Sequence, residues 1–161
     1  MKCILSDSVH VILDGPPASA KSLFLYEMEK NLDRVFFVDC TNTTGPGLVD
    51  HLLRNDVKYL LLDEVEKMSY NDQNVLLNVL ETGVLTSIKV KKTGSKKLDI
   101  SMYATTNNID EISKPFRSRF MEFSLPPYTY TEFCDITVIL TGQRDGHDKE
   151  TAMKIAETVC E

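Results

Sequence analysis

The sequence predicts a three-layer α/β fold: a mostly parallel five-stranded sheet with helices on both faces, an inserted β-hairpin and a partial helical lid. Three observations carry this. Strand-like apolar runs alternate with helical patterns, a glycine-led loop from Gly15 to Ser22 separates the first run from the first helix, and the run Tyr59-Leu60-Leu61-Leu62 closes on Asp63 and Glu64.

Taken in order, the apolar run Val9 to Leu13 predicts a first strand over 9–13, and the pattern from Lys21 to Leu32 a first helix. Val35-Phe36-Phe37-Val38 predicts a strand over 35–39, followed by a helix over 47–54. The strand over 59–63 is apolar at successive positions, as in a strand buried on both faces. The helix over 70–81 has Ser69 as N-cap with Asp72 three residues on, a stripe of Val75, Leu76, Val79 and Leu80 for the core, and Gly83 as its stop. Strands over 100–105 and 120–124 complete the sheet. After Pro126-Pro127 two helical patterns, 130–141 and 148–160, flank a loop at Gly142-Gln143-Arg144-Asp145-Gly146. The expected organisation is a core over 1–126 and a small lid over 127–161.

Bulk properties bound the function. A chain of 161 residues with 42% hydrophobic content buries one core, and a net charge of −6 argues against coating nucleic acid with the whole surface while leaving room for a local basic patch. Cys3, Cys40, Cys134 and Cys160 have neither metal-site spacing nor the density of a disulfide scaffold. No apolar run approaches the ~20 residues that span a membrane, and Met1 is not followed by an apolar signal segment. A soluble, cytoplasmic protein without a membrane partner is expected.

Gly15-Pro16-Pro17-Ala18-Ser19-Ala20-Lys21-Ser22 has the order that a phosphate-binding P-loop needs. Backbone N–H groups and the positive helix end cradle a polyphosphate, Lys21 reaches its outer phosphates, and the Ser22 hydroxyl ligates Mg²⁺. Ala20 stands where the pattern has glycine; its methyl is tolerated only at negative φ, because the left-handed conformation costs alanine roughly 1–2 kcal/mol. Asp63 and Glu64 emerge at the sheet edge where ligands of such folds bind, Asp63 to hold the Mg²⁺ shell and Glu64 to activate a water. A nucleoside triphosphate with Mg²⁺ is the expected ligand, and the resemblance that follows makes it ATP.

With those motifs, Ala104-Thr105-Thr106-Asn107-Asn108 and Pro115-Phe116-Arg117-Ser118-Arg119-Phe120 bring the chain to resemble the AAA+ ATPases. The resemblance implies that Asn107 is the sensor that contacts the γ-phosphate and the attacking water. It also implies that Arg119, with Arg117 as the alternative, is a finger reaching into a neighbouring subunit, so that the chain works as a ring, a hexamer in most of the family. Asp63-Glu64-Val65-Glu66-Lys67-Met68 is similar to minichromosome maintenance helicases, and Ser113-Lys114-Pro115-Phe116-Arg117-Ser118-Arg119-Phe120 to archaeal ATPases of the RuvB-like kind. Both groups carry a hairpin before the sensor strand.

Here apolar residues keep even positions from Val84 to Met102, and Lys92-Thr93-Gly94-Ser95 supplies the expected turn. Lys89, Lys91, Lys92, Lys96 and Lys97 crowd around it and are candidates to neutralise nucleic-acid phosphates; a solvated hairpin whose lysines discourage edge pairing is the alternative. The P-loop starts as early as residue 15 and the lid ends before the usual second sensor arginine, as in a fragment or a minimal module. The expected function is an ATPase that translocates on or remodels nucleic acid, with a MoxR-like, protein-remodelling ATPase as the alternative.

Overall fold

The structure, a computed structural model, describes residues 9–89 and 92–145 together with Glu150, Thr151, Met153, Lys154 and Thr158. The chain divides into two compact units at the junction of Leu125 and Pro126.

The first unit is built on five strands: β1 (Val11–Asp14), β2 (Val35–Asp39), β3 (Tyr59–Asp63), β6 (Ser101–Thr106) and β7 (Met121–Ser124). Every pairing is parallel and the spatial order is β2-β3-β6-β1-β7. Register brings the strand ends to one edge, with Asp39 beside Asp63 and Asp14 beside both Thr106 and Ser124. The chain leaves interior β1 for the edge strand β2, so the loop after β1 opens at the point where strand order reverses.

Alternation decides what each face holds. Leu60 and Leu62 join a core with Leu48 and Leu52 of α2 (Gly45–Arg54), Leu76 and Val79 of α3 (Tyr70–Thr82), and Phe116 of α4 (Lys114–Arg117). Leu61 is equally buried on the opposite face, where α1 (Lys21–Asn31) lies against β2, β3 and β6 and Tyr26 stacks on Phe37. Burying a leucine side chain is worth about 1.5–3 kcal/mol, so the three consecutive leucines of β3 fix it at the centre of both layers. The α3 signals hold: Ser69 Oγ accepts from the Asp72 N–H, and Gly83 ends the helix at φ 65°.

Two expectations need correction. The hairpin is present, β4 (Val84–Lys89) antiparallel to β5 (Lys92–Lys97), but Lys89 pairs with Lys92, so Lys92-Thr93-Gly94-Ser95 runs within a strand and does not form the turn. Gly94 pairs with Ser87, and Leu85, 2% exposed, anchors the register in the core. In the second unit, α5 (Tyr130–Asp145) runs on through Gly142, so Arg144 lies on a helix and not in a loop. One helical glycine costs only about 1 kcal/mol, and nothing else there forces a break. Of the second lid helix, Glu150, Thr151, Met153, Lys154 and Thr158 are described, and all are helical.

Candidate functional site

The loop between β1 and α1 is held by close approaches. A Cβ on Gly15 would lie 2.5 Å from the Leu125 carbonyl oxygen, so only glycine fits where the loop passes the end of β7. Ala18 and Ala20 both adopt the left-handed conformation, φ 65° and 60°. The expected negative φ at Ala20 is therefore not met: the loop keeps the conformation that glycine usually supplies, at a cost to alanine of roughly 1–2 kcal/mol. Strain of this kind persists where surrounding structure over-determines it. Ala20 is the N-cap of α1 and offers no side-chain acceptor, leaving the first-turn N–H groups of the helix for another acceptor.

Lys21 is 6% exposed, and its ammonium donates to Gly15 O at 2.8 Å, Pro16 O at 2.7 Å and Ser19 Oγ at 3.1 Å. Burial pulls its pKa down, and the charges of Glu66, Asp14, Asp63 and Glu64 oppose that pull. Ser19 Oγ donates to Pro16 O at 2.8 Å, closing the loop on itself.

Across the sheet edge, Ser22 Oγ donates to Asp63 Oδ1 at 2.9 Å, and Thr105 Oγ1 donates to the same oxygen at 2.5 Å. Glu64 is left-handed, φ 55° and ψ 52°, with its N–H donating to Thr105 Oγ1 at 3.0 Å. Its carboxylate accepts from Thr41 Oγ1 at 3.1 Å and from Asn107 Nδ2 at 3.3 Å. A cavity of about 320 Å³ opens there, lined by Pro17 to Leu23 of the loop and α1 and by Asp63, Glu64, Thr105 and Asn107. Gly15 and Pro16 stand behind it as acceptors for Lys21. The donor set suits a magnesium-bound polyphosphate: a lysine, unpaired helix N–H groups, and hydroxyl and carboxylate oxygens in contact.

The remaining expected residues lie elsewhere. Arg119 pairs with Glu81 of α3, and Arg117 makes two 2.8 Å contacts with Glu122; neither lines the cavity. Hydrogen bonding to Arg117 holds the Glu122 carboxyl below the usual range. Of the hairpin lysines, Lys91 lies outside the described residues, and Lys97 is exposed. Lys96 departs from expectation, because its ammonium donates to Leu52 O at 3.0 Å and Asn55 O at 2.5 Å, capping the C-terminus of α2. Cations are favoured at that end of a helix, so this lysine serves the fold.

Three residues at the site were missed from sequence. Thr105 lies in the sensor segment, where the resemblance gives a role to Asn107 alone; Thr41 lies between the second strand and the second helix, outside every motif; and Glu66 lies two residues beyond Glu64.

A family profile described as the Sigma-54 interaction domain, an AAA+ ATPase family, matches residues 37–122, more than half of the chain. The chain belongs to this AAA+ family. It is also 24% identical over 167 aligned residues to the DNA replication licensing factor MCM4 of Oryza sativa subsp. japonica, with 94% of this chain aligned. The chain spans 19% of that relative's length. Among the described residues, no helix of this AAA+ domain is long and apolar enough to cross a membrane.

Proposed function

We propose that the chain is an ATPase core that binds MgATP in the cavity at the P-loop and hydrolyses it within a ring, driving translocation on or remodelling of nucleic acid. The observation that supports this most is the convergence of Lys21, Ser22, Asp63, Glu64 and Asn107, drawn from β1–α1, β3 and β6, on one cavity. When bound, MgATP supplies the transferable γ-phosphoryl group and the divalent charge that offsets it. The N–H groups of the loop and α1 hold the phosphates, and Lys21 trades its carbonyl acceptors for phosphate oxygens. Ser22 and Asp63 hold the metal, with Thr105 keeping the Asp63 carboxylate oriented. Glu64 accepts the proton of the attacking water at its carboxylate, and Asn107 orients that water. Arg119 of a neighbouring copy, or Arg117, offsets charge in the transition state.

Nucleic acid as the substrate is favoured by the lysines of the β4–β5 hairpin and by the likeness to a DNA replication licensing factor. The matching family description favours a second reading, since it names a protein, sigma-54, as the partner of that domain; there the same ATPase cycle remodels a protein complex, as in the MoxR-like alternative. The nucleotide chemistry common to both is tested by Glu64→Gln, which should retain MgATP affinity and lose turnover. A Glu64→Gln variant that turns over ATP at the wild-type rate would remove Glu64 from the role of base.

A further inference from the structure

Glu66 is a buried acid that the proposed chemistry does not use. It sits in the 3-10 turn Val65–Lys67 directly after β3, 8% exposed. One oxygen, Oε1, accepts from the Asn107 backbone N–H at 3.2 Å and from Asn107 Nδ2 at 3.1 Å. The other, Oε2, is buried with no hydrogen-bond partner among the described residues. Leaving a carboxylate oxygen in that state costs free energy, and a well-packed apolar residue would avoid it. Such an orphan calls for a reason other than stability.

The reason is in the geometry of Asn107. This residue follows the last residue of β6, beyond the strand's own ladder, so its backbone N–H has no strand acceptor and Glu66 provides one. Because Glu66 grips the backbone and the side-chain amide with the same atom, it fixes both the position and the rotamer of Asn107. Carboxylates only accept hydrogen bonds, so with Glu64 and Glu66 both at Nδ2 the amide nitrogen faces them and the amide oxygen is turned away. Nδ2 carries two N–H groups. One is spent on Glu66; the other, now on Glu64 at 3.3 Å, is the longer and weaker of the two and is the one free to pass to another acceptor.

We propose that Glu66 is a positioning residue for Asn107: it holds one amide N–H so that the second is shared between Glu64 and the outermost phosphate of a bound nucleotide. The inference rests on the ATPase reading given above. Acceptance of the second N–H by phosphate frees Glu64 for its water, and without Glu66 the amide would turn and satisfy neither.

The test uses the full chain with Glu66→Ala, Glu66→Gln, Asn107→Ala and the Glu66→Ala/Asn107→Ala pair. Without nucleotide, hydrogen exchange read by NMR should show the Asn107 N–H exchanging at least about ten times faster in Glu66→Ala, with the Tyr103 N–H unchanged, since a buried hydrogen bond of about 1.4 kcal/mol is a tenfold effect. In turnover, Glu66→Ala should lower kcat roughly 10–100-fold with MgATP affinity within about threefold, as misplacement of a catalytic group does. Glu66→Gln, which keeps a carbonyl acceptor, should fall between Glu66→Ala and wild type. The double variant should be no slower than Asn107→Ala alone. Unchanged exchange at Asn107, wild-type kcat in Glu66→Ala, or multiplying defects in the pair would each overturn the proposal. If the wild type itself hydrolyses no ATP, the ATPase reading fails, and the exchange measurement still decides whether Glu66 holds Asn107.

Discussion

Ala20 shows at the residue scale how the site trades stability for geometry. The loop needs a left-handed residue before Lys21, and the chain meets that need with an alanine at φ 60°. Ala20→Gly would remove a penalty of roughly 1–2 kcal/mol and restore about 0.4–1 kcal/mol of unfolded-chain freedom. The balance, from nil to about 1.6 kcal/mol, favours the glycine variant, which should melt no lower than wild type and up to about 6 °C higher, since 1 kcal/mol shifts a domain of this size by about 2–4 °C. A clear drop in the thermal midpoint of Ala20→Gly would mean that the methyl group packs usefully and the strain is small. Ala18 and Glu64 carry the same signature at φ 65° and 55°, and three left-handed residues that all line one cavity fit the tendency of strain to gather at functional sites.

Among the elements, the β4–β5 hairpin separates two uses of lysine. Lys96 caps α2 through Leu52 O and Asn55 O, so Lys96→Ala should cost about 1 kcal/mol of stability by loss of the helix-end contacts and leave the salt dependence of nucleic-acid binding alone. Combined Lys92→Ala and Lys97→Ala should do the reverse, flattening the log–log salt slope by about one unit per lost phosphate contact on duplex DNA. A slope unchanged by the paired substitution, or no binding to nucleic acid at low salt, would favour the protein-remodelling reading.

The elements also show what the sequence makes legible. The β3 strand was readable to the residue because three consecutive leucines admit one environment, and Ser69, Asp72 and Gly83 marked the ends of α3 because capping is local chemistry. The hairpin turn was not readable: β5 is Lys92-Thr93-Gly94-Ser95-Lys96-Lys97, with no apolar residue to set its phase, and its register is held by Leu85 in the core and by Lys96 on α2. Gly142 misled for the opposite reason, since a break needs more than one glycine. At the site, motif spacing picked out Lys21, Ser22, Asp63 and Glu64, and the family resemblance picked out Asn107. Thr41, Thr105 and Glu66 touch those residues through the fold, and contacts made across 23 to 42 residues of chain leave no local pattern.

Over the whole molecule, the cavity gathers Lys21, Asp63, Glu64 and Asn107 but no arginine among the described residues, and Arg119 and Arg117 are paired with Glu81 and Glu122 away from it. A site completed by a second copy, as proposed above, would account for that. Arg119→Ala should leave ATP binding nearly intact and lower hydrolysis by roughly 10³-fold, the scale of a lost arginine finger. Mixing Arg119→Ala with Glu64→Gln subunits should then recover activity, because one interface in the mixture holds both functional groups. Mixed oligomers that form and stay inactive would place the finger elsewhere.

The central claim is that the loop from Gly15 to Ser22 is a nucleotide site, and calorimetric titration of MgATP into wild type and Lys21→Ala tests it most directly. Lys21 is buried with its ammonium inside the loop, so its loss removes the loop's only side-chain cation while leaving the sheet edge in place. The account predicts saturable binding to the wild type and none to Lys21→Ala at the same concentrations. Equal affinity in the two proteins would contradict it.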